Sequence, residues 1–338
     1  MAGTVPETMK AWLYSSTTGG LEKNLTLDST VGTPSTSLQP GQVLVEVISV
    51  SINPADYKVP AMPIVSRLLI SKPASPGMEF AGRVVATGPE VSDFKPGQLV
   101  YGMIGEAGKF GTLREYIAVE TRHIVAVPEG VDLDQAATVG CAAQTAYQSL
   151  VPYVAKGDKV FINGGSGGCG VFAIQMAKLL GCEVTTTCSS RNVQLCKDLG
   201  ADDVIDYTTQ DVLETLKEHG QVYNHVVDHI GTPADLYSQS DSFLRPGKVF
   251  LQVGGEILNY VARLVRPGFL GGGTRKYVIL MMKVSKDDMY QVGQWMHEGK
   301  IRALIDSTYE FSDAVKEFEK LRTGRSRGKI VIHVSEKP

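Results

Sequence analysis

Val160–Gly181 reads VFINGGSGGCGVFAIQMAKLLG, a short β-type run that enters a glycine cluster and leaves it as an amphipathic helix. Within it, Gly165-Ser166-Gly167-Gly168-Cys169-Gly170 satisfies GxGxxG at a strand-to-helix junction. The first glycine permits a tight turn, the second lets the main chain approach a pyrophosphate, and the third lets helix and strand pack closely. Free N–H groups and the positive end of the helix dipole then favour a phosphate at the start of the helix. The stretch predicts the first βαβ unit of a dinucleotide-binding sheet, with a glycine-rich turn that holds no ligand as the plain alternative.

The next strand tip selects among dinucleotides. An NAD site places an acidic residue about 20 residues beyond the glycine loop to hold the ribose 2′-hydroxyl. From Val184 through Lys197 there is no Asp or Glu. Ser189, Ser190 and Arg191 instead offer hydroxyls and a guanidinium, which match a 2′-phosphate. A cation in the first turn of a helix opposes the dipole and needs another reason to be there, although a merely solvated arginine is the alternative. NADPH is the cofactor this reading selects.

Outward from the loop, strand and helix patterns alternate: strands at 159–163, 183–188, 203–207, 225–230 and 248–255, helices at 170–180, 192–199, 211–219 and near 234–243. Such alternation predicts a doubly wound α/β sheet. The chain before Pro128 is different, rich in short β-branched runs such as QVLVEVISVSI and FAGRVVATG, cut by Gly and Pro. It predicts a β-rich, barrel-like domain. After the glycine-punctuated RPGFLGGGTR come KYVILMM, a helix at 286–298, the strand IDSTYEF, a helix at 312–321 capped by Ser312, and a last strand KIVIHV. Domains are expected at residues 1–128 and 129–284, with 285–338 returning to complete the first.

Composition excludes several function classes. Of the 338 residues, 43% are hydrophobic and 20% charged, and the net charge of −3 offers no general attraction to nucleic acid or anionic membrane. The five cysteines are scattered and unpaired in spacing, which points to a reducing, cytoplasmic compartment. YVILMM, the longest apolar run, is too short to cross a bilayer. His225 and His229 lie four apart on a predicted strand, roughly 13 Å along the chain, too far for one metal ion.

Several ordered segments, INPADYK, PGMEFAGRVVATGPEVSDFKPGQLVYG, GCAAQTAYQSL, GGSGGCG, LGADDVIDY and RGKIVI, resemble the medium-chain dehydrogenase/reductase superfamily over residues 9–334. The resemblance implies a GroES-like β-rich catalytic domain joined to a Rossmann domain. Zinc-dependent members carry a Cys, a His and often a second Cys where this chain has Asn53, Met78 and Cys141, and four further cysteines that are missing from 101–116. An amide and a thioether beside one thiolate do not make a tetrahedral zinc site, so no metal is expected and Cys141 reads as a small buried residue. The chain is therefore similar to the zinc-independent quinone oxidoreductases and NADPH-dependent enone or enoyl reductases.

That branch implies hydride transfer to the activated C=C of an α,β-unsaturated carbonyl, with negative charge on the carbonyl oxygen held by fixed hydrogen-bond donors. Candidate catalytic residues are Asn53, Tyr57 and Lys58, the last two as proton donors, with water as the fallback; Asp56 is expected to order the loop. By resemblance Thr145 lies beside the nicotinamide, Tyr207 against the adenine ribose phosphate, with a strand-end core tyrosine as the alternative, and Val253, Gly254 and Gly255 near the carboxamide. Arg327 and Lys329 are read as solvated strand-end charges, with reach to the cofactor as the alternative. Quinone reduction and a crystallin-like NADPH-binding protein without enzymatic role are the competing functions. The apolar segments 60–73 and 255–274 are expected to wall a hydrophobic substrate site; part of the second, 257–272, alternatively meets a membrane surface or a second subunit. A homodimer paired along KYVILMM is expected, without a nucleic-acid partner or an integral membrane segment.

Overall fold

The computed structural model describes residues 5–104, 111–255, 263 and 272–337. The chain divides into two units, one formed by Met1–Gln144 with Lys283–Pro338, the other by Thr145–Met282. The first contributes strands β1 (Thr8–Leu13), β2 (Thr26–Gly32), β3 (Gln42–Ile52), β4 (Glu79–Thr87), β5 (Leu99–Met103), β6 (Tyr116–Glu120) and β7 (Ile124–Ala126). The second contributes β8 (Lys159–Asn163), β9 (Glu183–Cys188), β10 (Asp203–Asp206), β11 (Tyr223–Asp228), β12 (Leu244–Gln252) and β13 (Lys276–Ile279). The chain then returns to the first unit with β14 (Ile305–Glu310) and β15 (Lys329–His333).

In the first unit the strand order is β14-β15-β3-β4-β5-β7, with β6 also paired to β3. β3 is buried along nearly all its length because both of its faces are covered. Val43, Val45, Val47, Val50 and Ile52 enter a core with Trp12, Phe80, Val84, Phe318, Ile330 and Ile332. A short helix, Leu133–Ala136, begins at Asp132, whose side chain accepts from Asp134 N. Asp134 in turn accepts from Ser49 Oγ on β3 at 2.6 Å and lies 2.9 Å from His333 Nε2 on β15. These bonds place residues 129–144 with the first unit, whereas their composition alone resembles the helical texture of the second.

All neighbours in the second sheet are parallel, in the order β10-β9-β8-β11-β12-β13. Counted within the unit this is 3-2-1-4-5-6, the doubly wound arrangement whose order reverses between β8 and β11. Every residue of β11 is buried, as a parallel strand covered on both faces requires. The helix Gly170–Leu179, following the glycine turn, buries Val171, Phe172, Ala173, Ile174, Met176 and Ala177.

Two local expectations need correction. Residues 234–243 form turns and a 3-10 turn at Ser240–Ser242 rather than a helix. Ser and Asp there compete with helical bonding, and Tyr237 is drawn inward against Phe250 and Tyr277. The helix near the C-terminus spans Ala314–Arg322 with Asp313 at its N-cap, because Phe311 is buried and Phe311–Asp313 form a 3-10 turn. The segment 60–73 contains a helix, Pro63–Leu69, that leaves Ile64, Leu68 and Leu69 exposed. Of the connection 255–274, residues 256–262 and 264–271 lie outside the described residues. No helix among the described residues is long and apolar enough to cross a membrane.

Candidate active site

The glycine turn of the second unit separates packing glycines from one that packing does not explain. A Cβ on Gly165 would lie 2.3 Å from Thr186 Oγ1, and one on Gly170 would lie 2.1 Å from Gly164 O. Both positions are closed by neighbouring protein. A Cβ on Gly167 would meet nothing nearer than Gly164 O at 3.6 Å. The protein therefore leaves room for a side chain at Gly167 that the sequence does not use, which keeps the main chain bare as a close-approaching pyrophosphate requires. Ser166, Gly167, Gly168 and Cys169 are half-buried and form the rim of the turn. Gly165 N donates to Thr187 O at 2.9 Å and Gly164 N to Thr187 Oγ1 at 2.8 Å, which fix the turn to β9.

At the tip of β9, Ser189 is half-buried and Ser190 and Arg191 are exposed. Asn192 is buried and its amide donates to Ser166 Oγ at 3.1 Å, coupling the tip to the glycine turn. The Ser190 hydroxyl donates to Asp206 Oδ2 at 2.5 Å, at the end of β10. Hydrogen bonds from Ser190 and then Thr208 hold the Asp206 carboxyl down at about 2, so an anion lies beside Ser190. That acid comes from the third strand, where a search along the second strand does not find it. Tyr207 is 57% exposed, which rules out the core role considered for it.

Buried polar groups pin the switch point. Asn163 Nδ2 donates to Asp228 Oδ1 at 2.8 Å, and Thr187 Oγ1 donates to Asn163 Oδ1 at 2.7 Å. Asp228 also accepts from Ile230 N, Gly231 N and Gln252 Nε2 at 2.8 to 3.0 Å. Val253 N and Gly254 N donate to Asp228 O. A Cβ on Gly254 would lie 1.7 Å from His229 O, and one on Gly231 would lie 2.6 Å from Gly255 Cα. These glycines let two loops cross backbone to backbone. Thr145 is buried on the helix Gln144–Leu150. Burial depresses both His225 and His229 to about 4, so each is neutral. His225 Nε2 lies 2.8 Å from Ser149 O and its ring stacks on Tyr153, a structural role.

In the first unit three adjacent strand ends bring Asn53, Glu79 and Lys329 together. Asn53 follows β3, Glu79 opens β4, and Lys329 opens β15; antiparallel pairing sets those two starts beside the end of β3. Lys329, expected in solvent, is 2% exposed. Its ammonium lies 2.5 Å from Asn53 Oδ1, 3.1 Å from Ile52 O and 3.0 Å from Glu79 Oε1. Asn53 Nδ2 donates to Glu79 Oε1 at 2.7 Å, and Glu79 Oε2 accepts from Cys141 N at 2.6 Å. Gly328 makes this placement possible: its φ is +90°, and a Cβ there would lie 2.1 Å from Leu304 O.

Asn53 also starts a one-turn helix, Pro54–Lys58, in which Asp56 Oδ2 accepts from Asn53 N at 2.7 Å. Burial first, and then the charge of Glu79, push the Asp56 carboxyl up to about 8 against the Asn53 N–H and the Lys329 ammonium. Its other oxygen has no partner. Asp56 thus orders the loop as expected from the sequence. Tyr57 packs against the first core with the Arg322 guanidinium over its ring at 5.6 Å, and Lys58 is exposed. Neither is joined to the Asn53 cluster by a described bond. Glu79 was not singled out in the sequence, though it stands in the quoted PGMEF.

The residues at the place of a catalytic zinc do not fit the ion. Asn53 and Met78 are weak donors for Zn²⁺, both Glu79 oxygens are committed to protein donors, and Cys141 is half-buried rather than buried as expected. Among the described residues no group of three His, Cys, Asp or Glu side chains is arranged to hold a metal. The glycine turn, by contrast, fits a dinucleotide through the open main chain at Gly167.

Residues 39–129 match the alcohol dehydrogenase GroES-like domain, and residues 199–332 match the zinc-binding dehydrogenase family. The trans-enoyl reductase pgmF of Aspergillus terreus is 46% identical, covering 99% of each chain. The chloroplastic NADPH-dependent alkenal/one oxidoreductase of Arabidopsis thaliana is 29% identical over 98% of this chain and 81% of its own length. Among solved structures, the quinone oxidoreductase of Coxiella burnetii superposes with a TM-score of 0.86 at 30% identity, covering 97% of this chain and all of that one.

Proposed function

The chain belongs to the medium-chain dehydrogenase/reductase superfamily, on its enoyl- and quinone-reductase branch, and from that premise we propose that it reduces the activated C=C of an α,β-unsaturated carbonyl compound with NADPH. The observation that carries this reading is the 46% identity, over 99% of both chains, to a protein named as a trans-enoyl reductase. When bound, the cofactor supplies a hydride to the β-carbon of the acceptor. The glycine turn Gly165–Gly170 would take the pyrophosphate, Ser189 and Arg191 the 2′-phosphate, and Tyr207 the adenine side. Thr145 and Val253–Gly255 would meet the nicotinamide.

The first unit's part is electrostatic. The Asn53 amide N–H not given to Glu79 is the donor we assign to the acceptor's carbonyl oxygen, where it would hold the negative charge that reduction of the C=C places there. Tyr57 is held under Arg322, and Lys58 has no described tie to Asn53. We therefore assign protonation of the α-carbon to water. The exposed apolar helix Pro63–Leu69 fits a hydrophobic acceptor.

NADPH oxidation assayed over enones, enoyl thioesters and quinones tests the reading. Turnover fastest on the first two classes supports it. Preference for quinones moves the assignment to quinone reduction, and tight NADPH binding without turnover moves it to a binding protein. The five cysteines form no disulfide among the described residues, and we propose a reducing, cytoplasmic compartment. β13 ends its sheet, and we propose that a second copy pairs along it. A monomer by light scattering would remove that pairing.

A further inference from the structure

We propose that Lys329 is a positioning residue that, together with Glu79, fixes which face of the Asn53 amide is offered to the acceptor carbonyl; this rests on Asn53 being the donor named above. A side-chain amide has an acceptor end and a two-proton donor end of nearly equal shape. In solvent it turns freely between them. Here the acceptor end lies 2.5 Å from an ammonium and the donor end 2.7 Å from a carboxylate. Turning the amide over would set NH2 against the Lys329 ammonium and oxygen against the Glu79 carboxylate, two repulsions in a buried site. One orientation survives, in which one Nδ2 hydrogen goes to Glu79 and the other has no described partner. That hydrogen is what an incoming carbonyl oxygen needs.

Lys329 acts through Asn53 and not on the acceptor, because its three ammonium protons face Asn53 Oδ1, Ile52 O and Glu79 Oε1. Its place is set by the fold at both ends. Lys329 N donates to Leu304 O at 2.8 Å, and the next residue, Ile330, pairs with Ile52 at the end of β3. Glu79 is held from the other side by Cys141 N. The cluster therefore supplies fixed internal charge where the zinc-dependent relatives would have a metal, and it spends that charge on orientation.

The test is a set of variants assayed on one enone. Lys329→Met is expected to lower kcat at least tenfold, toward the roughly hundredfold cost of losing an oxyanion donor, with KM for NADPH unchanged. Lys329→Arg, which keeps the charge, is expected to recover most of kcat. In an Asn53→Ala background, Lys329→Met should add less than about a twofold loss, because coupled residues are not additive. Since Lys329→Met leaves Glu79 unpaired, the neutral pair E79Q/K329M serves if the single variant does not fold; it should be as slow. On the free protein, 15N-detected exchange of the Asn53 side-chain amide should be slow in the wild type and fast in either variant. Wild-type kcat in E79Q/K329M, or additive losses in the cycle, overturns the proposal. If Asn53→Ala alone keeps full kcat, the role of Asn53 falls first and this inference with it.

Discussion

Asn163 and Asp228 are 65 residues apart in sequence and joined by a 2.8 Å hydrogen bond between buried side chains, at the point where the strand order of the parallel sheet reverses. Asp228 is wholly buried, and its carboxylate is satisfied by main-chain and side-chain N–H groups from three segments. Replacing Asp228 with Ala should therefore cost about 3 kcal/mol, since it strands several buried donors at once. Urea denaturation of the two proteins would read this directly. A loss below about 1 kcal/mol would show that the loops hold without it.

Gly167 and Gly170 should separate cofactor binding from folding. Gly167→Ala adds a methyl at ordinary contact distance from Gly164 O and should leave the unfolding midpoint nearly unchanged, while weakening NADPH binding about tenfold or more. Gly170→Ala drives a methyl into Gly164 O and should destabilise the free protein by about 1–3 kcal/mol. Thermal unfolding with and without NADPH distinguishes the two. Equal effects on the free protein would contradict the difference in space around them.

Cofactor choice should depend on Arg191. Losing a charge-assisted bond to a 2′-phosphate costs about 1.5–3 kcal/mol, so Arg191→Ala should raise Kd for NADPH roughly 10- to 100-fold and leave NADH binding little changed. The Asp206 anion beside Ser190 supplies the control. Asp206→Asn should favour NADPH further by removing a like charge. A protein that prefers NADH before any substitution would refute the selection.

Stability should fall as pH rises, through Glu317. Both of its oxygens are buried without partners, and burial first, then Asp313, push its carboxyl up to about 9. The folded state holds this proton more tightly than the unfolded chain, whose value is 4.5. Its contribution is thus fully present below pH 4.5 and is lost as pH climbs to about 9. Glu317→Gln should flatten this slope and gain on the order of a few kcal/mol at pH 8. Asp56 shifts in the same direction and will leave part of the slope in place. Denaturant curves at pH 5 and pH 8 for both proteins decide it, and parallel curves would exclude Glu317 as the source.

The second unit is largely legible in the sequence because its signals are local. A strand, a glycine turn and a helix follow one another within Val160–Gly181, and alternation of the same kind predicts the rest of the parallel sheet. The helix predicted at 234–243 that does not form shows the limit, since Tyr237 is placed by the rings of Phe250 and Tyr277, which no local pattern reveals. The Asn53 cluster was legible only in part. Asn53 stood out as the residue in a metal ligand's place, but Glu79 lies 26 positions away and Lys329 276. Strand-end lysines are usually solvated, so composition reads Lys329 as surface. Sheet register alone, placing β15 beside β3, turns that residue inward.

The ammonium that orients Asn53 arrives on a strand translated long after β3. The second unit, Thr145–Met282, is one uninterrupted stretch emerging in between. During synthesis this middle piece is complete while β3 still waits, its edge toward β15 unpaired. A nascent or truncated chain ending before Lys329 would thus carry a finished nucleotide-type sheet beside an unclosed one. Such a fragment would be a substrate for chaperones and proteases rather than a slower enzyme.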